Sequence, residues 1–172
     1  MTTSRSESVD GLRFRQSAGV DHAQLAALRW DMRMEDGDEP ALVSRDVFEA
    51  ECRTFFAQSG RMHVHWLAER DGEILSTISV HMVDMLPRPC KLDDRFGCIT
   101  NNYTRPEWRG RGIATQLLRH VTAWAAAEDL ELLIVWPSAL AVPFYTRSGF
   151  ACENEVMELR LREYVPIAGV QR

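Results

Sequence analysis

No stretch of the chain approaches the ~20 consecutive apolar residues that cross a bilayer. Its longest apolar runs are short, Leu132-Leu133-Ile134-Val135-Trp136 among them, so no membrane partner is expected. Cysteine pairs in metal spacing are also missing. Cys52, Cys90, Cys98 and Cys152 form no C-x-x-C and no tight cluster, which argues against a structural zinc site or a disulfide framework and for free thiols in a reducing, cytoplasmic setting. A basic surplus is absent: 20 Lys and Arg stand against 25 Asp and Glu, a net charge of −5. A general nucleic-acid binder needs a broad basic surface, so nucleic acid is not an expected partner. Residues 1–10 are rich in Ser and Thr and carry no apolar run, so they read as a tail and not as a secretion signal. Repeats and low-complexity linkers are missing as well. Hydrophobic residues at 45% and charged residues at 26% exclude disorder and collagen-like repeats as whole-chain readings.

What is present fits one α/β domain. The 172 residues suffice for a single core, expected over residues 11–165. Leu12 to Arg15 alternates as a short strand. Asp21 with Gln24 has capping-box spacing, and Leu25, Leu28 and Met32 follow as a helical stripe. Glu35 to Pro40 reads as an acidic loop. Ser44 is placed to cap a second helix with Phe48, Cys52 and Phe55 on one face. Val64, Trp66 and Ala68 alternate as a strand, Asp71-Gly72 signals a hairpin turn, and Ile74, Ile78 and Val80 continue on the return strand. After a proline loop at Leu86 to Pro89, a strand is predicted from Phe96 to Thr104. Ile113, Leu117, Val121 and Trp124 then mark a helix. Leu132 to Trp136 reads as a buried strand, Ala139 to Arg147 as a short helix, and Phe150 to Leu161 as one or two strands. The order predicts a mixed sheet flanked by helices, with antiparallel hairpins and a parallel crossover at its centre.

The chemically informative segment runs from Tyr103 to Thr115. A strand enters the turn Arg109-Gly110-Arg111-Gly112, which opens directly into a helix. Free N–H groups and the positive dipole end lie at such a helix start. Glycines let an anion approach the backbone, and Arg109 and Arg111 add positive charge. The physics is that of a phosphate or pyrophosphate cradle. A Walker loop would place Lys-Ser or Lys-Thr after the last glycine, where Ile113-Ala114 stand. A dinucleotide fingerprint would need glycine at Thr115, and Glu131 begins the next strand instead of ending it.

Arg109-x-x-Gly112-x-Ala114 resembles the Q/R-x-x-G-x-G/A motif of the GCN5-related N-acetyltransferases (GNAT). Asn102 to Pro106 is similar to the strand leading into it. Val135-Trp136-Pro137-Ser138, followed by Pro143 to Phe150, resembles the family's later strand and its "FYxxxGF" helix. The resemblance covers Phe96 to Phe150, and the upstream elements fit the same order. It implies a splayed mixed sheet and an acetyltransferase that uses acetyl-CoA as co-substrate and no metal. Backbone N–H groups of Arg109, Gly110, Arg111, Gly112, Ile113 and Ala114, with Thr115, would hold the pyrophosphate. Main-chain groups of Asn102, Tyr103 and Thr104 would pair with the pantetheine arm, one amide polarising the thioester carbonyl. Ser138 and Phe144 would contact the cofactor. Tyr145 would be the general acid that protonates the leaving thiolate.

Family members often carry a carboxylate base on the strand before the glycine turn, where this chain has Cys98. Glu35, Asp38, His81 or water are the alternatives for the amine's proton. The acidic loop could recognise a cationic amine, and Trp30 and Trp136 could line the acceptor pocket. His63-x-His65 shares a strand face, but a metal site usually needs a third ligand. The expected partner is a small-molecule or amino-acid-like amine. Protein lysine or N-terminal acceptors, a non-catalytic acyl-CoA-sensing module, and a homodimer all stay open.

Overall fold

Asp71 and Gly72 take φ of 53° and 82°, the left-handed region that closes a tight hairpin. They join β2 (His63–Arg70) to β3 (Glu73–Asp84). The computed structural model describes residues 11–37 and 43–151. With β1 (Arg13–Gln16), β4 (Arg95–Thr104) and β5 (Leu133–Val135), these strands form one sheet in the order β1-β2-β3-β4-β5. The first four run antiparallel and β5 joins β4 in parallel. A parallel neighbour requires a crossover, which helix α3 (Ile113–Ala127) supplies. A mixed sheet flanked by helices is the predicted class. Among the described strands the parallel pair β4–β5 stands at one end. The strands expected from Phe150 to Leu161 lie almost wholly outside the described residues, as do the tail over 1–10 and the domain end at 165.

Helices cover both faces of the sheet. The stripe Ile113, Leu117 and Val121 of α3 is buried, and α3 packs on Ile78, Val80 and Ile99. The opposite face presents Leu67, Ile74 and Tyr103 to Leu25 and Leu28 of α1 (His22–Glu35). Helix α2 (Arg45–Gln58) differs, because none of its residues is buried. Phe48 and Cys52 of its predicted stripe are half-buried and Phe55 is exposed.

Three local expectations are corrected. Asp21 makes no side-chain cap on α1. Its carboxylate instead accepts two bonds from Arg15, at 2.7 and 2.9 Å, and one from the Ala18 N–H at 2.7 Å. A guanidinium outcompetes a backbone amide for a buried carboxylate, since both partners are charged. Gln24 reaches the β2–β3 hairpin, donating to the Gly72 carbonyl and accepting from the Ile74 N–H, each at 3.0 Å. Ser44 occupies the cap position of α2, but its hydroxyl makes no cap bond. The last described helix, α4, spans Val142–Arg147 and starts later than the predicted Ala139.

One irregularity positions the site. The β3–β4 register passes from Val80↔Ile99 to Ser79↔Asn101, so Thr100 is an extra, bulged residue. Ile99 and Asn102 therefore face α3 and α4, while Asn101 and Tyr103 face α1.

Candidate active site

Strand β5 pairs with β4 only over Leu133–Val135 against Gly97–Ile99. Gly97 permits that approach. A Cβ there would stand 2.5 Å from a Leu133 methyl and 2.8 Å from one of Val80. Beyond Ile99 the bulge turns β4 away and the strands diverge. The opening is a cleft of about 670 Å³, within the usual range for small-molecule sites. Asn102, Tyr103 and Thr104 form one wall, and Ser138, Phe144 and Tyr145 the other. Arg109 and Ala114 close one end. Trp136, also predicted here, is 66% exposed at the mouth. Trp30 packs instead on Phe48, 5.4 Å between ring centres, away from the cleft.

Tyr145 is 5% exposed, its ring held edge-on by Phe144 and Phe150 at 5.0 and 5.3 Å. Its hydroxyl accepts a 3.1 Å bond from Asn102 Nδ2. Because the amide donates, the phenolic proton stays available to the cleft. Burial pushes the phenol above its ordinary value, and the Asn102 bond offsets this only in part. The group is thus protonated across the neutral range. The Asn102 side chain is a contact of Tyr145 that sequence reasoning missed. Asn101 and Asn102 are adjacent in the sequence, and only the bulge decides which of them reaches the tyrosine.

The glycine turn has the geometry of an anion site. Gly110 and Gly112 take φ of 74° and 75°, and space is open beside both. Side chains there would be strained. The first helical bond of α3 runs from Gln116 N–H to the Gly112 carbonyl, 3.0 Å. The amides of Ile113, Ala114 and Thr115 precede it and lie at the positive end of the helix. Ile113's side chain is in the core at 1% exposure, so its contribution to a ligand is its main chain. Arg111 is exposed, its guanidinium 4.9 Å above the Trp108 ring.

Arg109 departs from expectation. Its backbone N–H donates to the Pro106 carbonyl at 3.2 Å, within the turn. Its side chain turns back to the sheet, donating to the Thr104 carbonyl at 2.9 Å and to Glu35 at 2.5 Å. Tyr103 donates to the same carboxylate at 2.6 Å. Glu35 is the last residue of α1 and not part of a loop. Burial pushes its carboxyl up, but the bonds from Tyr103 and Arg109 outweigh that and leave it below the usual range. Glu35 is therefore an ionised partner, poorly suited to accept a proton.

The other predicted bases separate. Asp38 lies outside the described residues. His81 stands on β3 with Nδ1 3.3 Å from Nδ1 of His63. Cys98 is buried, which raises its thiol pKa, so it is a neutral side chain. Among the described residues no group of three or more metal-ligating side chains occurs. No described helix is long and apolar enough to cross a membrane.

The fold is that of an acetyltransferase. Residues 24–150 match the acetyltransferase (GNAT) family, and the chain belongs to that family. A predicted acetyltransferase from Clostridium acetobutylicum, solved with acetyl-CoA, is 28% identical. That match covers 87% of this chain and 96% of the other, with a TM-score of 0.73. A GCN5-related N-acetyltransferase from Ralstonia eutropha JMP134 is 22% identical, covering 87% and 99%, TM-score 0.71. Glucosamine-6-phosphate N-acetyltransferase from Arabidopsis thaliana is 17% identical, covering 88% and 99%, TM-score 0.64. The last two likenesses concern the fold. No curated protein matches the chain significantly by sequence.

Proposed function

We propose that the protein transfers the acetyl group of acetyl-CoA to the primary amine of a small-molecule or amino-acid-like acceptor. The observation that carries this reading is the Asn102–Tyr145 hydrogen bond, which holds a buried, protonated phenol inside the cleft. The amides from Gly110 to Thr115 bind the pyrophosphate, with Arg111 adding charge. The pantetheine lies along the edge of β4 left unpaired beyond Ile99, using main-chain groups of Asn102 and Tyr103. Thr104 contributes less there, because Arg109 occupies its carbonyl. Ser138 and Phe144 contact the cofactor from the facing wall.

The amine nitrogen attacks the thioester carbonyl, a C–N bond forms, and the C–S bond breaks. The leaving thiolate takes the proton of Tyr145, which is regained from solvent. The amine's own proton leaves through water in the cleft, since Glu35 is engaged by Arg109 and Tyr103. Calorimetric titration with acetyl-CoA, followed by thiol release with a panel of amines, tests the reading. Binding with turnover supports it. Binding without turnover of any amine favours the acyl-CoA-sensing module, and no binding removes both.

A further inference from the structure

A second pocket of about 510 Å³ lies beneath α2, on the face of the sheet away from α3. It shares Arg29, Thr100 and Asn101 with the cleft, so the two meet at the β4 bulge. Phe48, Phe55 and Phe56 of α2 and His63 and His65 of β2 form its walls. The rings stand edge-on: Phe55 to His63 at 4.8 Å and 73°, Phe56 to His65 at 4.7 Å and 69°. The hollow explains why α2 carries an apolar stripe yet buries none of it. Glu51 and Arg29 both line the pocket and offset each other, so net charge does not select its occupant. An inserted aryl ring would pack against these aromatic walls.

His65 adds a polar requirement. It is 6% exposed, its Nδ1 is 2.8 Å from Ser79 Oγ, and its Nε2 has no partner among the described residues. Burial holds the ring neutral, with its pKa lowered to about 4. In a neutral imidazole one nitrogen donates and the other accepts. Whichever role Nε2 has, a hydroxyl can satisfy it. His65, Ser79 and Asn101 stand in one row across β2, β3 and β4. Two strand spacings, about 10 Å, separate His65 from the bulge, a span comparable to a phenol joined to an amine through two carbons.

We infer that the acceptor is a primary amine bearing a hydroxylated aryl group, which occupies this pocket and meets His65 Nε2. The inference rests on the acetyltransferase reading above. Initial rates with 4-hydroxyphenethylamine, phenethylamine and 1,4-diaminobutane test it, with acetyl-CoA affinity measured separately by calorimetry. Both aryl amines should exceed the diamine in kcat/KM on the order of 10-fold or more, and the hydroxylated one should lead. Phe55→Asp, at an exposed helix position, should raise KM for both aryl amines about 10-fold or more and leave acetyl-CoA affinity unchanged. His65→Phe, with folding checked by circular dichroism, should bring the two aryl amines to equal kcat/KM. A diamine used as well as the aryl amines, or no aryl turnover, overturns the inference while acetyl-CoA still binds. Loss of acetyl-CoA binding in the wild type overturns the acetyltransferase reading and this inference with it.

Discussion

Replacing Tyr145 by Phe removes one oxygen and keeps the ring between Phe144 and Phe150. The lost contact is the 3.1 Å bond from Asn102, a neutral hydrogen bond worth about 1 kcal/mol. Asn102 lines the cleft, where water can take up the freed amide, so the larger penalty for a buried unpaired donor does not apply. The melting temperature should fall by only about 2–4 °C for a chain of this size. The effect on rate is expected to be larger, because the proton for the departing thiolate is gone. A loss on the order of 10²-fold is typical of acid–base catalysis, about 2.7 kcal/mol of barrier. Quenched single-turnover measurement of CoA thiol isolates this step from product release. Acetyl-CoA affinity should stay within the error of titration. The alkaline limb adds a check. An acid loses activity as pH rises through its pKa, and burial places Tyr145 above the ordinary phenol value. No loss from this group should therefore appear below about pH 10. A single-turnover rate equal to wild type would remove Tyr145 from the chemistry and leave it as a packed aromatic.

Other expectations concern the turn, the vertex of the cleft and a buried histidine. Arg111→Glu places an anion beside the pyrophosphate site and should weaken acetyl-CoA binding more at low salt than at high salt; equal calorimetric affinities would refute the cradle. Gly97→Ala should destabilise by roughly 1–3 kcal/mol through overpacking, because its Cβ would collide with Leu133 and Val80; thermal denaturation reads this, and an unchanged melting temperature would show that the strands can separate freely. His65 stays neutral when folded down to about pH 4, whereas an unfolded histidine titrates near ~6.5. The unfolded chain thus binds the proton first, and this contribution is complete above about pH 6.5 and lost as pH falls towards 4, about 3 kcal/mol in all. Urea denaturation across that window should show a slope that His65→Gln flattens.

Most of the frame was legible in the residues. The 3.6-residue stripe of α3, the Asp71-Gly72 turn and the alternation of β2 each state a local preference that packing reinforces. The glycine turn was legible because the chemistry of an anion near a helix start needs those residue types in that order. The side-chain partnerships were not. Arg109 looks like a phosphate ligand in sequence, yet Glu35 lies 74 residues away and becomes its neighbour only when α1 crosses the end of β4. Gln24 had capping spacing but found the hairpin backbone, a partner 48–50 residues distant. His65 shares a strand face with His63 in the sequence, but its burial beneath α2 could not be read there. Long-range pairs of this kind depend on register, and register in β4 turns on one bulge that no pattern announced.

That bulge separates shape from assignment in β4. Alternation makes the side of a strand a matter of parity, and Thr100 is the odd count. Were the strand regular with Thr100 retained, Asn101 would look towards Tyr145, and Tyr103 would lose Glu35. Deleting Thr100 has the opposite outcome: Asn101, Asn102 and Tyr103 keep their sides, and only the bend disappears. A one-residue deletion here would straighten the strand while every chemical group still points where it did. Length variation at position 100 is thus a geometric dial, and equating positions across it by counting, as from the glycine turn back to Cys98, is off by one wherever a relative lacks the extra residue.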